Sequence, residues 1–156
     1  MNNSEKFYND FSHKLLTDFA YGNLRIIKAI KFFLNNICES DRYVLDIGCG
    51  IGWTSYEIAK NLPETQVDAI DLSRNSIKIA KNLFSLSNLR YSQLDVTSEE
   101  FHSLNQKYNL IILIDVFEHI QDIERNLFLK SLSNCLTETG VLFLTFPSPE
   151  HQNWLC

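Results

Sequence analysis

The amino-acid sequence predicts a doubly wound α/β fold, in which helices cover both faces of a five-stranded parallel sheet. Short apolar segments alternate with longer amphipathic segments from Tyr43 to Phe146, which is the pattern of strands and helices in such folds. A glycine-rich loop follows the first apolar segment, and Asp residues lie at or just past the ends of the first four. Right-handed crossovers between parallel strands favour the strand order 3-2-1-4-5.

Two helices are predicted ahead of the first strand. Residues 5–20 carry Phe11, Leu15 and Phe19 at four-residue spacing, which is the period of one helix face. A Gly-Asn pair ends this segment, and residues 24–37 form a second segment with one apolar side. We therefore expect residues 1–40 to form an N-terminal helical unit and residues 41–156 to form the sheet domain.

Strands and helices alternate after residue 43. Ser73 and Ser98 are expected to cap two of the helices, because a serine hydroxyl accepts hydrogen bonds from free N–H groups at a helix start. The last helix is expected to turn five apolar residues inward: Ile123, Leu127, Phe128, Leu132 and Cys135. The predicted strands are 43–47, 66–70, 89–94, 109–114 and 141–146, and the helices between them are 53–61, 74–84, 99–106 and 121–136.

Composition narrows the class of protein. The 156 residues suit one domain with one core, and a net charge of −5 argues against a general electrostatic grip on nucleic acid. The longest aliphatic run, residues 110–114, is far too short to span a bilayer, and the polar start lacks the layout of a secretory signal. No C-x-x-C pair or metal-ligand histidine spacing occurs, so we expect a cytoplasmic protein with reduced thiols and no metal site.

Four carboxylates are predicted at one edge of the sheet. Asp46, Asp71, Asp95 and Asp115 lie at or just past the ends of four separate strands. Ligands of open parallel sheets bind outside the carboxyl ends of the strands, so this edge is the expected site. Each Asp taken singly also fits an ordinary turn or cap residue. Their common placement beside a glycine loop favours a binding site.

The glycine loop is the most specific motif. The segment VLDIGCGIGW (residues 44–53) is a strand that contains an acid and runs into G-x-G-x-G. Alternate glycines let the backbone turn sharply and approach a ligand with no Cβ in the way. The helix that follows presents its free N–H groups to the same ligand.

Four segments together resemble the class I S-adenosylmethionine-dependent methyltransferase family, over residues 43–146. DIGCGIG (46–52) looks like the family's first motif, and VDAIDLS (67–73) looks like its second-strand motif. LDV (94–96) is similar to the adenine-side motif, and DVFEHI (115–120) to the fourth-strand motif of small-molecule and quinone-type members. The resemblance implies a Rossmann-like enzyme that transfers a methyl group to oxygen, nitrogen or carbon of a small molecule by in-line displacement.

The resemblance also implies the residues that hold the cofactor and its product, S-adenosylhomocysteine. Asp71, 19 positions after Gly52, is expected at the ribose hydroxyls, and Asp95 at the adenine amino group. Asp46 is expected to offset positive charge at the methionine end, directly or through water. The full set of cofactor-binding candidates is Asp46, Gly48, Cys49, Gly50, Gly52, Asp71, Leu72, Asp95, Val96, Asp115, Phe117, Tyr21 and Arg25.

A nicotinamide or flavin enzyme is the alternative within the same fold. Its fingerprint, G-x-G-x-x-G, would place the third glycine at position 53, where this chain has Trp53. A pyrophosphate also disfavours an acid beside the loop, yet Asp46 is there. The spacing therefore favours the methyltransferase.

Catalysis and access are predicted from the same resemblance. His119, just past the fourth strand, is the candidate general base, needed only if the acceptor must lose a proton; the alternative is a structural histidine near a helix start. Glu118 either holds the His119 ring or faces water. The resemblance implies that residues 1–40 fold over the cofactor as a lid, with Tyr8 and Tyr21 as candidates because they carry a polar tip. The alternative is ordinary core packing of the two helices, which is favoured for Phe11 and Phe19. Arg25 either meets the cofactor carboxylate or is a solvated helix charge.

The ending departs from the family. Members continue past the fifth strand into a terminal antiparallel hairpin, whereas this chain stops ten residues after Phe146. We therefore expect a C-terminally short fold without that hairpin, and an exposed fifth-strand edge that takes up a partner or a second copy. The alternative function is a non-catalytic adenosyl-binding module or one half of a split methyltransferase.

Overall fold

A computed structural model describes residues 3–37 and 42–146, with side chains described in 11–37 and 42–146. Five parallel strands form one sheet in the order β3-β2-β1-β4-β5, which confirms the predicted order. The strands are β1 Tyr43–Ile47, β2 Gln66–Asp71, β3 Leu89–Gln93, β4 Tyr108–Ile114 and β5 Leu136–Thr145. The helices are α1 Asn3–Tyr21, α2 Leu24–Asn36, α3 Trp53–Asn61, α4 Arg74–Leu83, α5 Glu99–His102 and α6 Asp122–Cys135, with a 3-10 turn at Phe117–His119.

The helices begin where side chains satisfy their free N–H groups. Ser73 accepts a hydrogen bond from the Ser76 N–H, and Ser98 accepts one from the Phe101 N–H, as predicted. Asn23 caps α2 by accepting from the backbone of its first turn. These caps fix where the chain leaves the sheet edge after β2 and β3.

Both faces of the central strands are buried. Val44 on β1 contributes to a core under α3 and α4, whereas Leu45 and Ile47 contribute to a second core under α6. Phe33 of α2 is fully buried in the first core and Phe128 of α6 in the second. This double burial explains why β1 and β4 are almost continuously apolar, and it holds the loop after β1 at the centre of the carboxyl edge.

Two predicted element boundaries in the second half of the chain are wrong. The helix predicted over 99–106 ends at His102, because the Ser103 and Leu104 N–H groups close the turn onto Glu99 and Phe101. β5 begins at Leu136, five residues earlier than predicted, and its pairing with β4 shifts register near Tyr108.

Two residues of α6 face outward, not inward as predicted. Ile123 is 87% exposed and Leu127 is 51% exposed. The buried stripe follows Phe128, Leu132 and Cys135 at i, i+4 and i+7. Ile123 and Leu127 lie off that stripe. Helical periodicity alone did not fix where the centre of the stripe falls.

Of the helices in residues 3–37 and 42–146, none is both long and apolar enough to cross a bilayer. The same residues contain no group of three or more His, Cys, Asp or Glu side chains able to hold a metal ion.

Candidate functional site

The loop between β1 and α3 adopts a backbone that its glycines permit. Gly50 and Gly52 have φ values of 55° and 85°, in the left-handed region that L side chains rarely adopt. A Cβ on Gly52 would lie 2.5 Å from the Tyr91 hydroxyl, and one on Gly50 would lie 2.9 Å from Leu15 Cδ1 of α1. The loop is therefore packed closely on two sides, and glycine is required by both backbone and space.

Asp71 ties the end of β2 to this loop. Its Oδ2 accepts a hydrogen bond from the Gly50 N–H at 2.8 Å, and its Oδ1 accepts one from the Ser73 N–H at 2.7 Å. Burial raises the pKa of Asp71, and these two backbone hydrogen bonds oppose the shift. The structure thus brings together two predicted site residues, and each carboxylate oxygen keeps a lone pair for a ligand. Leu72 follows Asp71 at the same edge and is half-buried.

Asp46 lies one residue before the end of β1 and is only 2% exposed. The Ser55 hydroxyl in α3 donates to Asp46 Oδ2 at 2.5 Å. Burial raises the pKa of Asp46 to about 7; the charge of Asp71 adds to the rise, and the Ser55 hydrogen bond opposes it. Sequence reasoning missed Ser55, whose only signal is a polar residue in the first turn after the loop.

Cys49 lies inside the loop between Gly48 and Gly50. Burial, with the nearby charges of Asp71 and Asp46, raises the pKa of its thiol well above the ordinary value. The side chain therefore stays a neutral thiol near neutral pH. Cys49 thus lies in the glycine loop as a neutral thiol, and its role toward a ligand stays a prediction.

Asp95 and Val96 follow β3 at the same edge. Asp95 Oδ1 accepts hydrogen bonds from the Thr97 N–H at 2.9 Å and from the Thr97 hydroxyl at 2.8 Å. The Leu94 N–H donates to the Asp71 carbonyl, which fixes this turn beside the second strand. Asp95 thus stabilises a turn and also stands where the site was predicted, and its role toward a ligand stays a prediction.

Asp115 pairs with Arg25, another predicted site residue. Asp115 follows β4 with a φ of 53°, an uncommon conformation for a residue with a Cβ. Its carboxylate forms an ion pair with the Arg25 guanidinium and accepts a hydrogen bond from the Thr145 hydroxyl at 3.3 Å. This contact joins the first turn of α2 to the ends of β4 and β5.

The 3-10 turn after β4 carries Phe117, Glu118 and His119. Phe117 packs near Phe128, and the Arg125 guanidinium lies 5.2 Å from the centre of its ring. The His119 side chain is 53% exposed, with Nε2 4.0 Å from Glu118 Oε1.

Glu118 does not simply face water. Its side chain is 15% exposed, and Oε2 is buried with no hydrogen-bond partner among the residues that the structure describes. Burial raises its pKa. Sequence reasoning offered no signal for this, because the residue before a histidine in a turn is usually solvated.

Helix α1 crosses the glycine loop. Leu15 lies against Gly50, and the Phe19 ring packs edge-on against Trp53 and Phe84 at centroid distances of 5.3 and 5.2 Å. Tyr21 at the helix end is 88% exposed, so its predicted contact with a cofactor stays a prediction. The Tyr8 side chain lies outside the described side chains.

The chain is similar in sequence to known methyltransferases. A family model described as a methyltransferase domain matches residues 19–155. The malonyl-[acyl-carrier protein] O-methyltransferase of Acetivibrio thermocellus is 34% identical over 104 residues, which are 66% of this chain and 35% of that protein. The ubiquinone biosynthesis O-methyltransferase of Rickettsia bellii is 30% identical over 122 residues, 77% of this chain and 47% of that protein. The chain thus spans about a third to a half of the length of these relatives.

Solved structures show the same architecture. PKMT2 from Rickettsia typhi, determined in complex with AdoHcy, is 25% identical and superposes with a TM-score of 0.61 over 68% of this chain and 21% of that chain. The DhpI-SAM-HEP complex superposes with a TM-score of 0.70 over 97% of this chain and 69% of that chain. Its identity of 15% makes that second likeness one of fold alone.

Proposed function

The chain belongs to the methyltransferase domain family, and on that premise we propose that it is an S-adenosylmethionine-dependent methyltransferase acting on a small-molecule acceptor. The main support for the proposal is the hydrogen bond that the Gly50 N–H donates to the Asp71 carboxylate, which ties the end of β2 to the glycine loop. A ribose diol needs a fixed carboxylate beside a backbone that a ligand approaches closely, and this arrangement supplies both. The alternative dinucleotide fingerprint is not met, since Trp53 stands at its third glycine.

The proposal assigns a group of described residues to each part of the cofactor. We assign Asp71 and Leu72 to the ribose, and Asp95 and Val96 to the adenine. The loop backbone with Asp46 is assigned to the methionine end, where an ammonium group lies beside a sulfonium. This assignment rests on charge, because the half-buried Asp71 and Asp95 and the buried Asp46 lie at this edge, and none of them forms an ion pair within the described residues. The cofactor, when bound, supplies an activated methyl group.

The chain's own residues would then position the reactants. An activated donor needs mainly alignment with its acceptor, so enclosure of the site supplies much of the rate. We assign residues 1–40 to a lid and 41–156 to the cofactor-binding core, because Leu15 and Phe19 of α1 already lie against the loop and Trp53. Arg25, now paired with Asp115, is assigned to the cofactor carboxylate, and Phe117 to the acceptor side of the same edge.

His119 is assigned as the base for acceptors that carry a proton. Its exposure leaves the ring accessible at the edge where an acceptor approaches, and its Nε2 lies 4.0 Å from Glu118 Oε1. The reduced thiols of Cys49 and Cys135, both free in the described residues, support a cytoplasmic location. The exposed edge of β5 is assigned to a partner or a second copy.

The proposal is tested by calorimetric titration with S-adenosylhomocysteine. Asp71→Asn should weaken binding by about ten- to a hundredfold, because hydrogen bonds to a charged group are worth about 1.5–3 kcal/mol. Asp68→Asn is the matched control: Asp68 also lies on β2, but it pairs with Arg90 and Tyr108 and should not change the affinity. NAD should bind far more weakly. Unchanged affinity in a folded Asp71→Asn protein contradicts the assignment.

Methyl transfer itself separates the enzyme from a non-catalytic binding module. The chain is incubated with S-[methyl-³H]adenosylmethionine and a panel of small phenols, amines and carboxylic acids. Labelled product formed by the chain alone establishes the enzyme. Tight binding of S-adenosylhomocysteine without any product favours the binding module or half of a split enzyme.

A further inference from the structure

Asp71 on β2 and Asp46 on β1 lie near the ends of adjacent strands but have different hydrogen-bond donors. Asp71 accepts two backbone N–H groups, from Gly50 and Ser73, which stabilise its negative charge. Asp46 is more deeply buried, yet its hydrogen-bond donor is one neutral hydroxyl, that of Ser55 at 2.5 Å. The surroundings therefore stabilise the ionised form of Asp71 better than the ionised form of Asp46.

No positive charge of the described chain compensates Asp46. Ser55 faces it from α3, Asp71 from β2 and Cys49 from the loop, and the charge of Asp46 also acts on Tyr91 of β3. Ile112 of β4 is its register partner on the other side. These neighbours are neutral or negative, and a buried carboxylate with such neighbours is costly to ionise.

We propose that Ser55 is a positioning residue for Asp46, whose carboxyl group is protonated in a large fraction of the unliganded protein and loses that proton when the cationic end of the cofactor binds. The inference rests on the proposed function. The Asp46 O–H bond breaks, the proton passes to the solvent, and the carboxylate remains opposite the ligand's positive charge. Ser55 donates its hydroxyl to the ionised form and so makes this state accessible.

The pH dependence has a definite sign. The pKa of about 7 means that both forms of Asp46 are populated near neutrality in the free protein. The ionised form binds the cation, so affinity is full above that pKa and falls as pH decreases through it. Between pH values of about 7.5 and 5.5 the loss is about 25-fold. This range keeps the cofactor's own α-amino group, with a pKa of about 7.7–8.0, largely charged.

The experiment counts protons during binding. S-adenosylhomocysteine is titrated into the protein at about pH 6.5, in two buffers with different ionisation enthalpies, and the difference in heat gives the protons released. The expected release is about half to three quarters of a proton per site, from the fraction of Asp46 that is protonated there. S-adenosylmethionine, which carries one more positive charge at sulfur, should release at least as much.

Substitutions of Asp46 and Ser55 identify the group that releases the proton. Asp46→Asn keeps the shape without a titratable proton, and should abolish the release and flatten the affinity-versus-pH curve. Ser55→Ala should move the midpoint of that curve upward by about one pH unit, because the ionised acid loses its donor. Ser55→Thr retains a hydroxyl and should restore the midpoint, which a purely structural role of Ser55 would not require.

The outcomes are distinguishable. S-adenosylhomocysteine binding with no proton release, or with release unchanged in a folded Asp46→Asn protein, overturns the inference and leaves the proposed function intact. An unchanged midpoint in a folded Ser55→Ala protein removes Ser55 from the proposal. Absence of binding at every pH contradicts the proposed function itself.

Discussion

At the scale of single residues, four aspartates at one sheet edge have four different sets of partners. Asp71 bonds to backbone N–H groups and Asp95 closes its own turn on Thr97. Asp115 pairs with Arg25, while Asp46 is buried against a hydroxyl. The edge positions follow from where strands end, but the partners of Asp71, Asp115 and Asp46 include residues of other elements.

Removal of His119 tests its role in proton transfer. If the acceptor is a hydroxyl or another protonated nucleophile, His119→Ala should lower turnover about 10²–10⁴-fold, the usual effect of losing a general base. Because the side chain is half exposed, stability should change by no more than about 0.5 kcal/mol. Turnover with saturating cofactor and thermal unfolding are the two measurements.

His102 is the contrasting control for that experiment. Its Nδ1 lies 2.7 Å from the hydroxyl of Ser131, a buried residue of α6 that itself donates to the Leu127 carbonyl. His102→Ala should therefore lower the free energy of unfolding and leave turnover of the folded fraction unchanged. If His119→Ala instead loses stability and cofactor binding together, His119 is a structural residue.

The site was predictable as far as local sequence determines it. The glycine loop and Asp71 are contiguous with strand ends, so spacing alone brought them together. Ser55 and the buried Glu118 were not predictable in this way, because their surroundings depend on how α3 and the 3-10 turn pack. The Arg25–Asp115 pair joins residues 90 positions apart, and the sequence carries no signal for such a contact.

At the scale of elements, α1 is fastened to the glycine loop by apolar contacts. Phe19 packs edge-on against Trp53 at the first position of α3 and against Phe84 just after α4. Edge-to-face pairs of this kind are each worth about 0.5–1.5 kcal/mol beyond burial. One side chain therefore connects the N-terminal helices with two helices of the core.

Phe19→Ala should loosen this connection. We expect a loss of about 1–3 kcal/mol in the free energy of unfolding, red-shifted emission from Trp53 as its ring gains water contact, and faster dissociation of S-adenosylhomocysteine. The measurement uses Trp154→Phe as background, so that Trp53 is the remaining tryptophan. Phe32→Ala, which removes an exposed ring packed on Phe33 and Phe143, is the matched control. Equal dissociation rates in both variants would argue against a lid.

Element boundaries were predicted best where a cap or a glycine marks them. The start of α4 at Ser73 and the limits of β1 and α3 match the sequence pattern. The early start of β5 was not predictable, since residues 136–140 are polar or glycine except Leu136 and join the sheet only through a register shift against β4. Tertiary pairing, not local propensity, makes that strand long.

At the scale of the whole molecule, the two edges of the sheet differ. The β3 edge presents Arg90, Ser92 and Gln93, and polar or charged residues protect an edge from pairing with another chain. The β5 side presents Val141, 50% exposed, and Phe146, 61% exposed. Within the described residues, exposed apolar side chains thus distinguish the β5 side from the polar β3 edge.

This asymmetry predicts reversible self-association through the β5 edge. Sedimentation velocity should show a mass that rises with protein concentration, because β5 has no strand on its outer side within residues 3–37 and 42–146 and would gain hydrogen bonds and burial when a second copy docks. Val141→Lys should restore a monomer, since a charged side chain on the edge opposes pairing. Leu83→Lys is the matched control: Leu83 ends α4 and is 48% exposed, close to the exposure of Val141, and the same substitution there should leave association unchanged. A monomer at every concentration, or equal effects of the two lysines, would show that the β5 edge does not drive association.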